Sequence, residues 1–447
     1  MQLQIVRNFP WRWGVWWLLL PNLAFIAMWP IGGPSMTASM AACGLLAVLL
    51  SSWSHHVLRT AVAVALFIFN LLTYVAMTFN LNWATMFGSL QFAGELHPSQ
   101  SPEYLVGGLL LVASLIALIA MGSRIPPLKT RDHKFLALGL VALLINVDMV
   151  ATAGTRGSYS MSAPAGMPVD SAVIQNHIAP STLRARNLVV IVVESLGVSS
   201  DPFDRKLFDQ MWNPARWSSR YEVTRGTNPF FGSTTSAELR ELCAAWSDYE
   251  TYDFDHPDCL PQKFRKAGFQ VESLHSFNGT FFDRETWYPK IGFERSLFSD
   301  QILAMGAGHC GSVFPGACDR DVPRIIGERL RQAPEKRKFL YWLTVNGHIP
   351  VAAEHALGTD NCRLGTAEWR EDYPMLCRSF ELQKQLADSI TAEIMKADFP
   401  DTDILIVGDH MPPYFQRDLR TRFEPGHVPW IMLRSRKSAE AAPSPSA

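Results

Sequence analysis

Three short stretches of the 447-residue chain place reactive side chains at the borders of apolar runs. Glu194 closes the run Leu-Val-Val-Ile-Val-Val at 188–193, and Gly408-Asp409-His410 follows Asp-Ile-Leu-Ile-Val at 403–407. A carboxylate at the end of a buried strand is costly unless it is paired or binds a metal. Alone, Glu194 also fits a helix cap, and Asp409-His410 a turn with a solvated histidine. Together the three offer mixed oxygen and nitrogen ligands suited to one divalent metal, zinc or manganese. The third stretch is Gly232-Ser233-Thr234-Thr235-Ser236-Ala237-Glu238. Thr235 and Glu238 fit the S/T-x-x-E capping box, which accounts for Thr235 structurally. Thr234 is left over. A hydroxyl there faces unpaired N–H groups and the positive end of a helix dipole. A neighbouring metal would lower its pKa and make it a nucleophile.

Further polar residues fall at strand borders. His275 follows the apolar run 269–274, with Phe282 and Arg284 shortly after. His348 follows the run 338–345, and His427 precedes the run 428–433. A lone histidine is more often structural. Three at strand borders, with an arginine, suit a phosphate anion.

The elements that must position these residues alternate. Strands are expected at 188–193, 269–274, 338–345, 403–407 and 428–433, and helices at 235–247, 260–267, 318–333 and 376–398. Continuous Val/Ile/Leu strands between helices predict a mostly parallel sheet covered on both faces. In such sheets the site forms at the carboxyl ends of strands.

The first third has a different character. Apolar segments at 13–30, 35–53, 60–78, 104–122 and 135–153 each match the roughly 20 residues needed to span a bilayer. Only the last carries a charge of the Asp, Glu, Lys or Arg type, Asp148. Arg7, Arg12, Arg59, Arg124, Lys129, Arg131 and Lys134 all fall on one side of this pattern, while loops 31–34 and 79–103 have no Lys or Arg. The basic side faces the cytoplasm. The N-terminus is therefore expected inside and everything after 155 outside. Trp83, Phe87 and Phe92 in loop 79–103 suit an amphipathic piece at the membrane surface or, the reading preferred, an aromatic belt at the outer interface. Balanced charge, Lys+Arg 40 against Asp+Glu 41, speaks against nucleic acid as a partner.

Residues 155–186, rich in Ser, Ala, Pro and Gly, read as a linker, and 435–447 as a disordered tail. This leaves a transmembrane domain at 1–154 and a globular domain at 187–434. Six cysteines lie outside the spans and allow fifteen pairings. The sequential pairing, 243–259, 310–318 and 362–377, is the one expected. A zinc cluster has no C-x-x-C pair to support it.

Five spans followed by an α/β domain with this motif order resemble the alkaline phosphatase superfamily. The chain looks like the membrane transferases of the lipoteichoic acid synthase and periplasmic glucan phosphoglycerol transferase type, to which the lipid A phosphoethanolamine transferases are related. The resemblance implies a sulfatase-like fold and a multi-pass protein of the bacterial inner membrane with a periplasmic catalytic domain. It implies one metal held by Glu194, Thr234, Asp409 and His410, with Thr234 as nucleophile. It matches His275, Phe282 and Arg284 to the head-group site, and His348 and His427 to catalytic histidines. It implies a membrane phospholipid as donor and a glycan or lipid-sugar as acceptor, with a phosphodiesterase or phosphoethanolamine transferase as the alternatives. Ser233 stands where the synthases have Lys, Phe282 where they have Trp, and Gly347 is inserted into the N-H-x-P segment. The C/S-x-P-x-R signature of hydrolytic sulfatases is absent; its nearest match, Cys259-Leu-Pro-Gln-Lys263, lacks the Arg.

Overall fold

The computed structural model describes residues 6–29, 33–78, 102–152, 162–414 and 417–436. The chain forms two compact units, one made mainly of residues up to 156 and one of residues from 157 onward.

In the first unit, His56–Thr78, Leu105–Arg124 and Arg131–Ala151 are long and apolar enough to cross a membrane. The other two expected spans differ. Thr37–Ser52 is a shorter apolar helix. The segment at 13–30 is broken into a π-turn at Val15–Leu19, a 3-10 turn at Leu20–Asn22 and a short helix at Leu23–Ala27. Pro21 lies at the break, where it removes an N–H from the helical ladder. Asp148 is fully buried and structurally satisfied. Trp29 Nε1, Ser35 Oγ and Thr37 Oγ1 donate to its carboxylate at 3.0, 3.2 and 2.7 Å. The expected aromatic belt at 79–103 lies almost wholly outside the described residues.

The second unit is built on strands β1 (Asn187–Val193), β2 (Tyr221–Pro229), β3 (Gln270–His275), β4 (Arg295–Leu297), β5 (His309–Cys310), β6 (Gly316–Ala317), β7 (Lys338–Leu343), β8 (Thr402–Gly408) and β9 (His427–Ser435). Seven form one sheet in the order β2-β9-β8-β1-β7-β3-β4. The pairs β8–β1, β1–β7, β7–β3 and β3–β4 are parallel. β9 pairs antiparallel with β8 and with β2. The sheet is thus mostly parallel, as the apolar runs predict, but its β9 end is antiparallel. β1, β7 and β8 are buried along their whole length. β2 escapes prediction because it is largely exposed and polar, with only Tyr221 and Asn228 fully buried.

Helices Thr234–Cys243, Leu260–Lys266, Val322–Arg331 and Pro374–Ile394 match the expected positions, with shifted ends. The first stops early because Ala244 takes a left-handed conformation, φ 49°. All three sequential disulfides are formed. Part of the expected linker is packed. Ala172, Val173 and Ile178 are buried in this unit's core, and Glu241 accepts the Val173 N–H at 3.0 Å. Of the expected tail, 437–447 lie outside the described residues.

Candidate metal centre and active site

β1 and β8 are parallel neighbours, with Val193 opposite Gly408. The residues that follow them, Glu194 and Asp409-His410, therefore emerge side by side at one edge of the sheet. Thr234 is the first residue of its helix. Its Oγ1 lies 3.0 Å from Asp409 Oδ2, 3.2 Å from Glu194 Oε2 and 3.3 Å from His410 Nε2. The cluster is buried, with Asp409 fully so.

Surrounding atoms decide which lone pairs face inward. Asp409 Oδ1 accepts the backbone N–H groups of Ser195 and His410 at 2.8 and 2.6 Å, which leaves Oδ2 for the cluster. His410 Nδ1 lies 3.0 Å from the Met411 carbonyl. With the proton on Nδ1, Nε2 presents a lone pair toward Thr234. Two carboxylate oxygens, an imidazole nitrogen and a hydroxyl oxygen thus converge, and the hydroxyl has only one proton to share among them. Burial and the adjacent Asp409 push the Glu194 carboxyl well above the usual carboxylate range. A divalent cation would remove that penalty. These residues fit one, and Glu194, Asp409 and His410 can hold a metal ion.

The surrounding turns are tight. Ser195 adopts a left-handed φ of 58°, a strained conformation for a residue with a side chain. Gly347 packs against the backbone of Glu194: an added Cβ would lie 2.5 Å from the Glu194 carbonyl oxygen. This contact gives the extra glycine of Asn346-Gly347-His348 a physical reason.

A residue not singled out from the sequence ties these parts together. Arg240 is buried on the Thr234 helix and donates to the Gly408 and Asp409 carbonyls at 2.8 and 3.2 Å. Glu241 balances its charge at 2.7 Å. Three charged residues at 238, 240 and 241 on a helix with almost no exposed face were the available sequence signal. Asp319 was also missed. It accepts the Val345 and Asn346 N–H groups at 3.0 and 2.6 Å and so holds the turn that leads to His348.

His275, Phe282 and Arg284 form a second group. His275 is buried, with Nδ1 3.2 Å from the Leu343 carbonyl and no partner for Nε2 among the described residues. Burial and the Arg284 charge hold its pKa well below the ordinary histidine value. The Arg284 guanidinium lies 5.4 Å from the Phe282 ring centre. The capping box expected for Thr235 and Glu238 does not form: the helix begins at Thr234 after Ser233, and no side chain caps it. Glu238 instead pairs with Arg284 at 2.9 Å.

His348 is half-buried, and its ring centre lies 3.7 Å from that of Phe314. Burial and the neighbouring His410 lower its pKa to about 4. His427 begins β9 opposite Pro229, and its side chain is exposed.

This fold and cluster define an α/β domain of the alkaline phosphatase superfamily. The sulfatase family model matches residues 186–444, more than half of the chain, and the chain belongs to that family. It is 26% identical over 200 residues to a Rhizobium meliloti protein described as a cyclic beta-1,2-glucan modification protein, a match covering 42% of this chain and 30% of that one. The chain thus spans under a third of that relative's length. Similar solved structures include a lipoteichoic acid synthase from Listeria monocytogenes, at 16% identity and a TM-score of 0.43 over 60% of this chain and 69% of that one. Another is the integral membrane lipooligosaccharide phosphoethanolamine transferase A from Neisseria meningitidis, at 14% identity and a TM-score of 0.45 over 90% of this chain and 82% of that one. Family membership does not dictate the reaction. Cys259, in the nearest match to the hydrolytic sulfatase signature, is bound to Cys243.

Proposed function

We propose that the chain moves a phosphoglycerol head group from a membrane phospholipid to an acceptor hydroxyl on a periplasmic or surface glycan or a lipid-linked sugar, through a phospho-threonine at Thr234. The observation that carries this reading is the convergence of Glu194, Asp409 and His410 on the Thr234 hydroxyl. These four would hold one divalent metal, zinc or manganese, which when bound lowers the hydroxyl pKa and offsets charge on phosphate oxygens.

The chain's residues supply the rest. Thr234 Oγ1 gives up its proton and attacks phosphorus, the bond from phosphorus to the diacylglycerol oxygen breaks, and that oxygen takes the proton as diacylglycerol leaves. The acceptor hydroxyl then gives up its proton and attacks the same phosphorus, the bond from phosphorus to Thr234 Oγ1 breaks, and Oγ1 takes a proton to restore the hydroxyl. His348 Nδ1 lies 2.9 Å from the Ile349 carbonyl, so with that proton engaged Nε2 is available. A pKa of about 4 keeps it neutral at pH 7, able to accept a hydrogen bond from the reacting hydroxyl but a weak base. His427, exposed at the start of β9, is the second candidate for that task.

The second group favours glycerol over ethanolamine. His275 Nε2 offers a buried lone pair to a hydroxyl, and a neutral hydroxyl costs less to bury there than an ammonium group, while Arg284, already paired with Glu238, binds phosphate oxygens. The name of the Rhizobium relative supports a glucan as acceptor. We read the first unit as crossing the bacterial inner membrane five times, with the N-terminus cytoplasmic and the second unit periplasmic. Three disulfides support that oxidising side.

The test incubates the full-length protein with labelled phosphatidylglycerol or phosphatidylethanolamine and weighs the proteolytic peptide containing Thr234. A gain matching phosphoglycerol is expected. A gain matching phosphoethanolamine would keep the mechanism and replace the donor. No adduct and no lipid turnover would sink the reading.

A further inference from the structure

Glu238 sits one turn after Thr234 on the same helix, so the two side chains share a face about 6 Å apart along the axis. Its carboxylate is fully buried. One oxygen, Oε2, takes Arg284 Nε at 3.0 Å and Nη2 at 2.9 Å. The other, Oε1, accepts the Tyr341 hydroxyl at 3.0 Å and also the Tyr288 hydroxyl. Tyr341 belongs to β7, and Tyr288 follows the short helix Arg284–Trp287. The carboxylate is therefore held from the sheet and from the segment that carries Arg284.

A guanidinium has five N–H bonds in a fixed fork. Glu238 takes two of them, from Nε and Nη2. The Phe281 carbonyl takes one from Nη1 at 3.0 Å. The other two N–H bonds sit on the terminal nitrogens, with the Tyr288 hydroxyl also beside the guanidinium, and N–H bonds of this kind are what an arginine uses to grip phosphate oxygens. An arginine already held in place loses less side-chain freedom when a ligand binds. Buried ion pairs are weak evidence for stability, so the pairing calls for another account.

We propose that Glu238 is a positioning residue: it fixes Arg284 relative to the Thr234 hydroxyl so that the remaining N–H bonds of the guanidinium take the phosphate of the donor head group. The inference rests on the donor reading above.

Glu238→Gln keeps the side-chain size and an acceptor for the two tyrosines but loses the charge that holds Arg284. In the full-length, zinc-loaded protein, dissociation constants for inorganic phosphate and for glycerol 1-phosphate should rise roughly tenfold, as expected for losing one prearranged charge-assisted contact. The zinc dissociation constant should stay within about twofold, because the metal ligands do not touch Glu238. KM for the lipid donor should rise more than kcat falls. Unchanged phosphate binding would overturn the inference, and so would a parallel loss of zinc affinity, which would mark collapse of the whole site. If Glu238→Gln does not fold, Tyr288→Phe removes one of the ties on Glu238. It should shift phosphate binding in the same direction by less, and no shift would be equally fatal. Glycerol 1-phosphate binding no tighter than phosphate would overturn the donor reading while leaving the Glu238 comparison intact.

Discussion

Thr234 Oγ1 and Asp409 Oδ2 stand 3.0 Å apart, although 175 residues separate them in the chain. Two elements bring them together. β8 delivers Asp409 to the edge of the sheet beside Glu194, and the Thr234 helix begins against that edge. Arg240 on the same helix clamps the Gly408 and Asp409 carbonyls. The nucleophile and the ligand pair are thus held by one helix.

Removing the Thr234 hydroxyl should stop transfer without unfolding the chain. Thr234→Ala should lower lipid turnover at least about 1,000-fold, the scale seen when a catalytic nucleophile is deleted. Thr234→Ser should restore part of it. Lipid turnover and the melting temperature, measured on the same samples, check this. Full activity in Thr234→Ala would rule out the phospho-threonine route.

Metal and protons should compete at Glu194. Without a cation its raised pKa keeps a proton on the folded protein that the unfolded chain releases near pH 4.5. Its contribution to metal-free stability is therefore fully present below pH 4.5 and is lost as pH rises through the folded-state pKa. Zinc displaces that proton, so the rise in melting temperature on adding zinc should grow as pH rises. At a hundredfold excess over its dissociation constant, zinc should add about 2.7 kcal/mol. A zinc effect independent of pH, or absent, would count against the site.

Asp319 should give a separate pH signature. Burial raises its pKa from 3.8 to about 6. The folded state then binds the proton more tightly than the unfolded one, so stability falls as pH rises from about 4 to 6. The loss is on the order of 3 kcal/mol. Asp319→Asn should flatten the melting-temperature profile across that window. An unchanged slope would assign it to other groups.

The Cys243–Cys259 bridge starts at the last residue of the Thr234 helix and spans 16 residues. A double serine variant should cost roughly 3 kcal/mol by the loop-entropy relation. Denaturant unfolding followed by tryptophan fluorescence reads this. An equally stable variant would mean that packing alone holds the loop.

Much of the candidate site was legible because each part obeys a local rule. Glu194 directly follows, and Asp409-His410 follows after Gly408, a run of Val, Ile and Leu that reads as a buried strand, and such strands end where sites form. Thr234 stood out because the hydroxyl run exceeded what a cap requires. The reading of Glu238 failed for an instructive reason. The S/T-x-x-E spacing is a local signal, but Arg284, 46 residues away, competes for the same carboxylate and takes it. β2 was illegible because an exposed edge strand needs no apolar alternation, and its place depends on pairing with β9.

The sequence by itself determined which stretches are too apolar for water, which strands are buried, and which residue types stand at their ends. Those properties follow from hydrophobic period and chain neighbours, and they survive without coordinates. Only the tertiary structure decided that β8 lies beside β1, that β9 runs against it, and that Arg240 and Glu238 face opposite partners from one helix. Strand order and long-range ion pairs depend on which distant groups share a buried volume, and no local pattern encodes that. The same limit applies to His275, whose Nε2 has no partner among the described residues, a property set by which distant groups surround it.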